Sequence, residues 1–507
     1  MRKSEVEYDD VQGLVRFGYK RMTEATYALV RVRNVAAARS WLRSAPITSA
    51  VERNPPPSTA MHVAFTAPGL RSLGVAGSVL AGFSPEFLAG MTEESRSRRL
   101  GDVGRNAPAQ WEWGAAGDMP HLVAMFFAEP GGLAAFVQRV TGHAWTEAFE
   151  AVRWLDAGDL AGREPFGFMD GISQPTVDWT QQRDAAGGQG EYSNVVALGE
   201  FLLGYRNEYG KYTDRALIDP DDASAGLFAA EDAPEKMDLG RNGTYLVLRQ
   251  LRQDVRGFWQ FIGRQVGGDR VEADKLAAAM VGRTRTGDPL VPLRGHAIPG
   301  IGSEPDQVRR NQFTFDDDPM GVRCPFGAHI RRSNPRNADL PGRPTGLARL
   351  LATLGFGRRA FRDDLTSSTR FHRVLRRGRE YGPWLSPEDA LAPAPPDDPE
   401  RGLRFVCLNA NLLRQFEFLQ NAWLMNTKFS GLSGESDPLV GNREAIPGCP
   451  VTDDFIIQQP GGLRRRVSGV PQFVTVRGGA YFFLPSLRAL RYLTGAGVEE
   501  SHDGLAL

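Results

Sequence analysis

The feature that most narrows the fold is a faint internal repeat. Thr26-Tyr27-Ala28-Leu29-Val30-Arg31 reads as a strand, and a helix follows through Ala36 to Leu42 with Asn34 placed to cap it. Thr244-Tyr245-Leu246-Val247-Leu248-Arg249 repeats that arrangement, with its own helix through Phe258-Trp259-Gln260-Phe261. Thr, Tyr, Arg and Trp recur at one constant offset. So few identities carry little alone; the shared order of elements carries more.

That order continues on both sides. Strands are expected at Met61 to Phe65, His121 to Ala128 and Val152 to Leu155, with helices starting at Gly69 and running from Leu133 to Val140. In the second part the expected strands are Leu403 to Leu408, Gln472 to Val476 and Ala480 to Leu484. Helices are expected from Asn411 to Leu424 and from Leu487 to Leu493. Strands alternating with helices and joined partly by hairpins predict an α+β protein of two βαββαβ sandwiches, a duplicated ferredoxin-like arrangement. The expected division is 1–175, 176–240 as connecting loops, and 241–507. Residues 176–240 and 265–320 are rich in Gly, Asp and Pro and read as long loop insertions.

Composition removes several classes of function. Hydrophobic residues at 41% and charged residues at 24% are ordinary for a globular chain. Sixty basic residues balance sixty acidic ones, so no global field favours nucleic acid or an anionic membrane. Runs such as Arg464-Arg465-Arg466 are too short for a nucleic-acid arm and read as a solvated face. The longest apolar stretches fall far short of the ~20 residues a membrane span needs. Cys324, Cys407 and Cys449 are scattered without CxxC spacing, and the first ten residues hold no apolar signal core. A cytoplasmic protein is expected.

Among the histidines (His62, His121, His143, His296, His329, His372, His502) there is no HxxxH or HExxH pattern. Walker A and GxSxG motifs are absent, and Gly187-Gly188-Gln189-Gly190 lacks the strand-turn-helix context of a nucleotide loop. Two segments stand out. Glu164-Pro165-Phe166-Gly167-Phe168-Met169-Asp170-Gly171-Ile172-Ser173-Gln174-Pro175 sets one acid among glycines and aromatics; by spacing alone it reads as a turn stapled by Asp170. Cys324-Pro325-Phe326-Gly327-Ala328-His329-Ile330-Arg331-Arg332-Ser333-Asn334-Pro335-Arg336 sets an imidazole beside several guanidiniums. An imidazole can ligate a metal and guanidiniums can pair with carboxylates, though a satisfied histidine beside a solvated basic turn fits the same letters.

The first segment resembles the GxxDG signature of the dye-decolourising peroxidases, and the second resembles the haem-ligating segment of that family. Val374-Leu375-Arg376-Arg377-Gly378 and Phe405-Val406-Cys407-Leu408-Asn409-Ala410-Asn411, running into Gln415 to Gln420, follow in the family's order. The resemblance implies a dimeric α+β barrel type of duplicated ferredoxin-like fold, with haem held by the unit 241–507. It implies haem b, one per chain, with His329 as the ligand to iron, Asp170 as the distal acid and Arg376 as the distal arginine. Gly171, Ile172 and Ser173 would line the haem, Asn334, Pro335 and Arg336 would hold its edge, and Leu403 and Phe405 would cover its distal face. The partners implied are H2O2 and a small reducing molecule, with no nucleic acid and no membrane.

Many relatives place an acid beside the proximal histidine on the helix after the fourth segment, and the matching residue here is Leu413. The expectation is that His329 donates to a carbonyl, to Asn411 or to another acid, with a raised iron potential and weakened turnover. Trp384 and Trp423 lie near matched segments and read first as core aromatics. Two rivals to a peroxidase are a haem carrier and a haem-free ligand-binding module. The pairing of Asp170 with Arg376, for which a carrier has no use, favours the enzyme.

Overall fold

The computed structural model describes residues 5–182, 192–221, 223–295, 297–337, 368–444 and 452–495. Gly187 to Gly190, His296, Cys449, His502, the C-terminal residues 501–507 and nearly all of the stretch from 338 to 370 lie outside these.

Period-two alternation builds the first half. Its strands are β1 (Glu24–Val32), β2 (Thr59–Phe65), β3 (Leu122–Ala128) and β4 (Phe149–Ala157), with helices α1 (Val35–Ser44) and α2 (Leu133–Val140) between them. Asn34 caps α1 as expected, its side chain accepting from the Ala37 N–H at 3.0 Å. Such a cap contributes about 1 kcal/mol. Both faces of the sheet are covered. Ala28, Val30, Met61, Val63, Leu122, Ala124 and Phe126 belong to one apolar core, and their neighbours Tyr27, Leu29, Ala64, Val123, Met125 and Phe127 belong to another.

The second half repeats this path. It runs β5 (Thr244–Gln253), helices α3 (Val255–Gln265) and α4 (Arg270–Val281), then two short strands β6 (Leu375–Arg376) and β7 (Arg379–Tyr381). Strands β8 (Gly402–Asn409) and β9 (Val474–Leu484) and helix α5 (Leu487–Thr494) complete it. All pairs are antiparallel, in the order β6-β8-β5-β9-β2-β3-β1-β4, with β7 also on β8. Each half therefore shows the same spatial order, second-third-first-fourth, which is the ferredoxin-like arrangement expected from sequence. The halves join where β9 meets β2 through the pair Phe483 and Phe65. The outer edges share the isolated bridge Gly158–Glu380 and the Arg404 hydrogen bond to the Asp156 carbonyl, and no strand ladder closes the sheet into a barrel among the described residues.

Residues 265–320, read as a loop insertion, hold helix α4 (Arg270–Val281), whose Asp269 cap starts it, and three further differences from the sequence expectation stand out. The two strands read at 472–476 and 480–484 are one strand, β9, because Gly478 and Gly479 serve close approach rather than a turn. A Cβ at Gly478 would lie 2.4 Å from Trp113 Nε1, and one at Gly479 would lie 2.7 Å from Met91 Sδ. The helix expected at Asn411 to Leu424 is present as two wide π-helical turns, Leu413–Glu417 and Leu419–Met425. Strands β6 and β7 were not legible because they are too short to show alternation. No helix among the described residues is long and apolar enough to cross a membrane.

Candidate active site

Along one face of β5 the surroundings change. Tyr245 and Val247 are sealed in core, whereas Arg249, Leu251 and Gln253 on the same face line a cavity of about 300 Å³. Phe405 and Leu403 of β8, the register partners of Arg249 and Leu251, and Arg376 of β6 extend that wall. Cofactor pockets commonly run from ~300 to 1,000 Å³.

His329 begins the short helix His329–Ser333 and lines the cavity; its side chain is 30% accessible. The ring is oriented from behind, where Nδ1 lies 2.9 Å from Asp437 Oδ2. Asp437 is fully buried, and its Oδ1 accepts the N–H groups of Leu439 (2.9 Å) and Val440 (3.0 Å). Burial favours the neutral ring, but the charge and hydrogen bond of Asp437 outweigh it and raise His329 above its ordinary value. Burial likewise pushes Asp437 up, and the His329 ring with the Val440 N–H and Arg332 brings it below the usual carboxylate range. With Nδ1 engaged, Nε2 is the nitrogen left for a metal.

The GxxDG segment and β6 bring the second pair together. Arg376 Nη1 donates to Asp170 Oδ1 at 3.0 Å, and Nη2 donates to the Ser173 carbonyl at 3.3 Å. Gln174 splices the two segments: its Nε2 donates to the Arg376 carbonyl (3.2 Å) and its Oε1 accepts the Arg376 N–H (3.1 Å). Burial would raise the Asp170 carboxyl, yet the Arg376 charge and the Gly171 N–H lower it below its ordinary value. Asp170, Arg376 and His329 line one cavity and feel one another's charge.

Of the residues singled out in the sequence, Asp170, Ile172, Ser173, His329, Asn334, Arg336, Arg376, Leu403 and Phe405 line this cavity. Gly171 and Pro335 do not: Gly171 is an exposed turn residue at φ +69°, and Pro335 is buried behind the wall. Trp423 is buried, edge-on to Phe418 and His372, while Trp384 is 44% exposed. Of the partners left open for His329 by Leu413, a carbonyl, Asn411 or another acid, the structure shows another acid. Leu413 is 45% exposed, and the carboxylate on His329 comes from Asp437, in the loop after the π-helical segment. An acid thus reaches the ring from outside the helix position, and the structural ground for expecting a raised potential and weakened turnover falls away.

Sequence reasoning also missed Arg283, Arg373, Glu164 and Gln253 in the lining. Arg283 gives its hydrogen bonds to the carbonyls of Gly287 and Arg310 and to Asn311 Oδ1; Arg373 gives its own to Tyr192 and Asn194. Burial, then the nearby Arg336 and Arg376 charges, push Arg283 down to about 9. Burial opposes ionisation of the Tyr192 phenol, yet Arg373 and Arg336 bring it down to about 8. That corner is crowded with positive charge, which an anionic group would relieve. Apolar walls from Ile172, Val281, Leu403, Phe405, Leu424 and Leu439, a free imidazole nitrogen and this cationic corner fit an apolar metal macrocycle with acidic edge groups.

No family model matches the chain. Whole-length relatives do. The dye-decolorizing peroxidase msp1 of Mycetinis scorodonius is 28% identical over 95% of this chain and 86% of its own length. A multifunctional dye peroxidase of Amycolatopsis sp. is 28% identical over 85% of this chain and 82% of its own. Among solved structures, a fungal DyP-type peroxidase from Auricularia auricula-judae superposes with a TM-score of 0.71 at 24% identity, covering 97% of this chain and 100% of that one. A dye-decolorizing peroxidase in complex with 2,6-dimethoxyphenol gives a TM-score of 0.70 at 23% identity, with the same coverage. These structures share the fold.

Proposed function

We propose that this chain, similar along nearly its whole length to dye-decolorizing peroxidases, reduces hydrogen peroxide and oxidises small organic donors, dye-like or phenolic, by one-electron steps. The observation that carries the reading is the single cavity furnished with an oriented imidazole and with the Asp170–Arg376 pair. We assign it one haem b per chain, with His329 Nε2 as the protein ligand to iron. When bound, that group supplies the redox chemistry by which peroxide takes up two electrons.

The protein's own work is with protons, charge and water. Asp170, ionised because Arg376 outweighs its burial, accepts the proton from the near oxygen of HOOH and returns it to the departing oxygen, which leaves as water. Arg376 positions the peroxide and stabilises the negative charge that develops on it. Asp437 accepts the Nδ1 proton of His329, fixing the ring and strengthening Nε2 as a donor. Arg283, Arg336 and Arg373 would hold acidic edge groups, and Ile172, Leu403 and Phe405 would give a macrocycle apolar contact. Each peroxide consumes two electrons and two protons to give two waters, so two donor molecules each lose one electron. A haem carrier would need neither Asp170 nor Arg376. The free, buried thiols of Cys324 and Cys407 suit a cytoplasmic protein.

The test is spectroscopic. Protein supplied with haem is expected to show a Soret band that changes on mixing with H2O2. Asp170→Ala is expected to keep the band and slow that change by about 10²–10⁴-fold. Absence of a Soret band, or an unslowed Asp170→Ala, would overturn the proposal.

A further inference from the structure

Asp437 is held with more contacts than its own side chain requires. Its N–H donates to the Leu424 carbonyl at 2.8 Å, and its carbonyl accepts the Gly441 N–H at 3.0 Å and Arg443 Nη2 at 2.9 Å. Arg443 also grips the neighbouring residue, with Nη1 donating to Ser436 Oγ at 2.6 Å, and its Nε donates to the Val470 carbonyl at 3.1 Å. On the other side stands Arg332, three residues beyond His329 on the same short helix and fully buried. Its Nη2 donates to the Glu435 carbonyl at 2.7 Å, and its Nη1 to the carbonyls of Trp423 (2.6 Å) and Asn426 (3.0 Å). Thus one guanidinium ties the Ser436–Asp437 turn to Val470, just before β9, while the other ties the histidine's helix to the same turn. Among the described residues neither donates a hydrogen bond to a carboxylate.

We propose that Arg443 and Arg332 are positioning residues that lock the Ser436–Asp437 turn, so that the Asp437 carboxylate stays on His329 Nδ1. The proposal rests on the reading of His329 as the ligand to iron. The reason for two cations is geometric. A carboxylate on a loop delivers a directed hydrogen bond only if the loop is over-determined, and a planar guanidinium can hold two acceptors at fixed spacing. Loss of the lock frees the carboxylate, weakens the hydrogen bond to Nδ1 and makes the imidazole a poorer donor, which raises the ferric/ferrous potential.

The experiment compares reduction potentials of the haem-loaded protein and its variants by spectroelectrochemistry. Asp437→Asn sets the scale, with an upward shift. Arg443→Met is expected to shift the potential in the same direction by most of that amount, and Arg443→Lys, which keeps the charge but not the fork, to recover little of it. Ser436→Ala, which removes one arm while leaving Arg443 in place, is expected to give a smaller upward shift and serves if Arg443→Met does not fold. In the haem-free protein the His329 Nδ1 proton is expected as a strongly downfield NMR signal that Arg443→Met loses. An unchanged or lowered potential in both Arg443→Met and Ser436→Ala, or full recovery by Lys, overturns the lock. A wild-type protein without a Soret band would instead sink the haem reading, and the NMR signal would still decide whether the lock exists.

Discussion

The two halves share one strand order and differ in what hangs from it. In the first half, the connection from first to second strand spans residues 33–58 and that from third to fourth spans 129–148; in the second half the same connections span 254–374 and 410–473. His329 lies in the longer first connection, Asp437 in the longer second one, and Arg376 on the short strand that ends the first. Strands β1 and β5 start alike, with Tyr27 and Tyr245 both fully buried. Only β5 continues past its core into a cavity wall. Both halves carry long connections, 66–121 in the first among them, but those of the second half bring His329, Arg376 and Asp437 together, while the first half adds Leu100, Asp102 and Asn106 to the cavity wall.

This contrast breaks most directly at two histidines, one buried in core and one on the cavity wall. His62 in β2 bonds to the Tyr19 hydroxyl at 2.9 Å, and burial pushes it down to about 3, so it is a neutral core residue. His329→Ala is expected to abolish the Soret band of haem-supplemented protein. His62→Leu is expected to keep the band and lower stability by about 1–3 kcal/mol, read by thermal unfolding. A lost band in His62→Leu, or a retained one in His329→Ala, would reverse the assignment of the halves.

A smaller effect concerns pH. Because the folded value of Asp170 lies below its ordinary one, its carboxylate stays available as the solution is acidified, and peroxide-dependent oxidation is expected to persist below about pH 5. The sign follows for stability too: the pair's contribution is present above the unfolded value and is lost as pH falls through the folded one. Arg376→Ala leaves burial as the leading influence on Asp170, so the acid limit of the rate is expected to move upward. Neutralising the surface pair Arg31–Asp118 of the first half, remote from the cavity lining, is expected to leave the profile in place. A rate falling with a midpoint near ~6.5 would instead implicate a histidine.

The smallest effect sharpens the proximal side. Leu413→Glu is expected to leave the ferric/ferrous potential unchanged, since Asp437 already occupies His329 Nδ1 and Leu413 is 45% exposed. Its effect on stability should stay within about 0.5 kcal/mol. A lowered potential would show that the helix position can still reach the ring.

Local patterns made the repeated strands and their capped helices readable, because alternation and the Asn34 cap act within a few residues. The Asp170 and His329 segments were readable through resemblance to a known family, and spacing alone left both open to bland alternatives. What escaped was set at a distance. Asp437 is 108 residues from His329, and nothing in Gly434-Glu435-Ser436-Asp437-Pro438 announces which ring its carboxylate meets. Arg283 and Arg373 are two among 54 arginines, and only folding shows that they converge on one corner. The fused strand β9 was misread because a glycine pair marks both a turn and a place where something large must pass close by.

That glycine pair reaches beyond packing. Trp113, whose Nε1 donates to Gln250 Oε1 at 2.9 Å, comes from the loop between β2 and β3 and rests against Gly478, so the two copies are keyed together by a side chain of one pressed into a bare patch of the other. A methyl group at 478 would evict the indole and disturb the strand that also carries Arg249, Leu251 and Gln253.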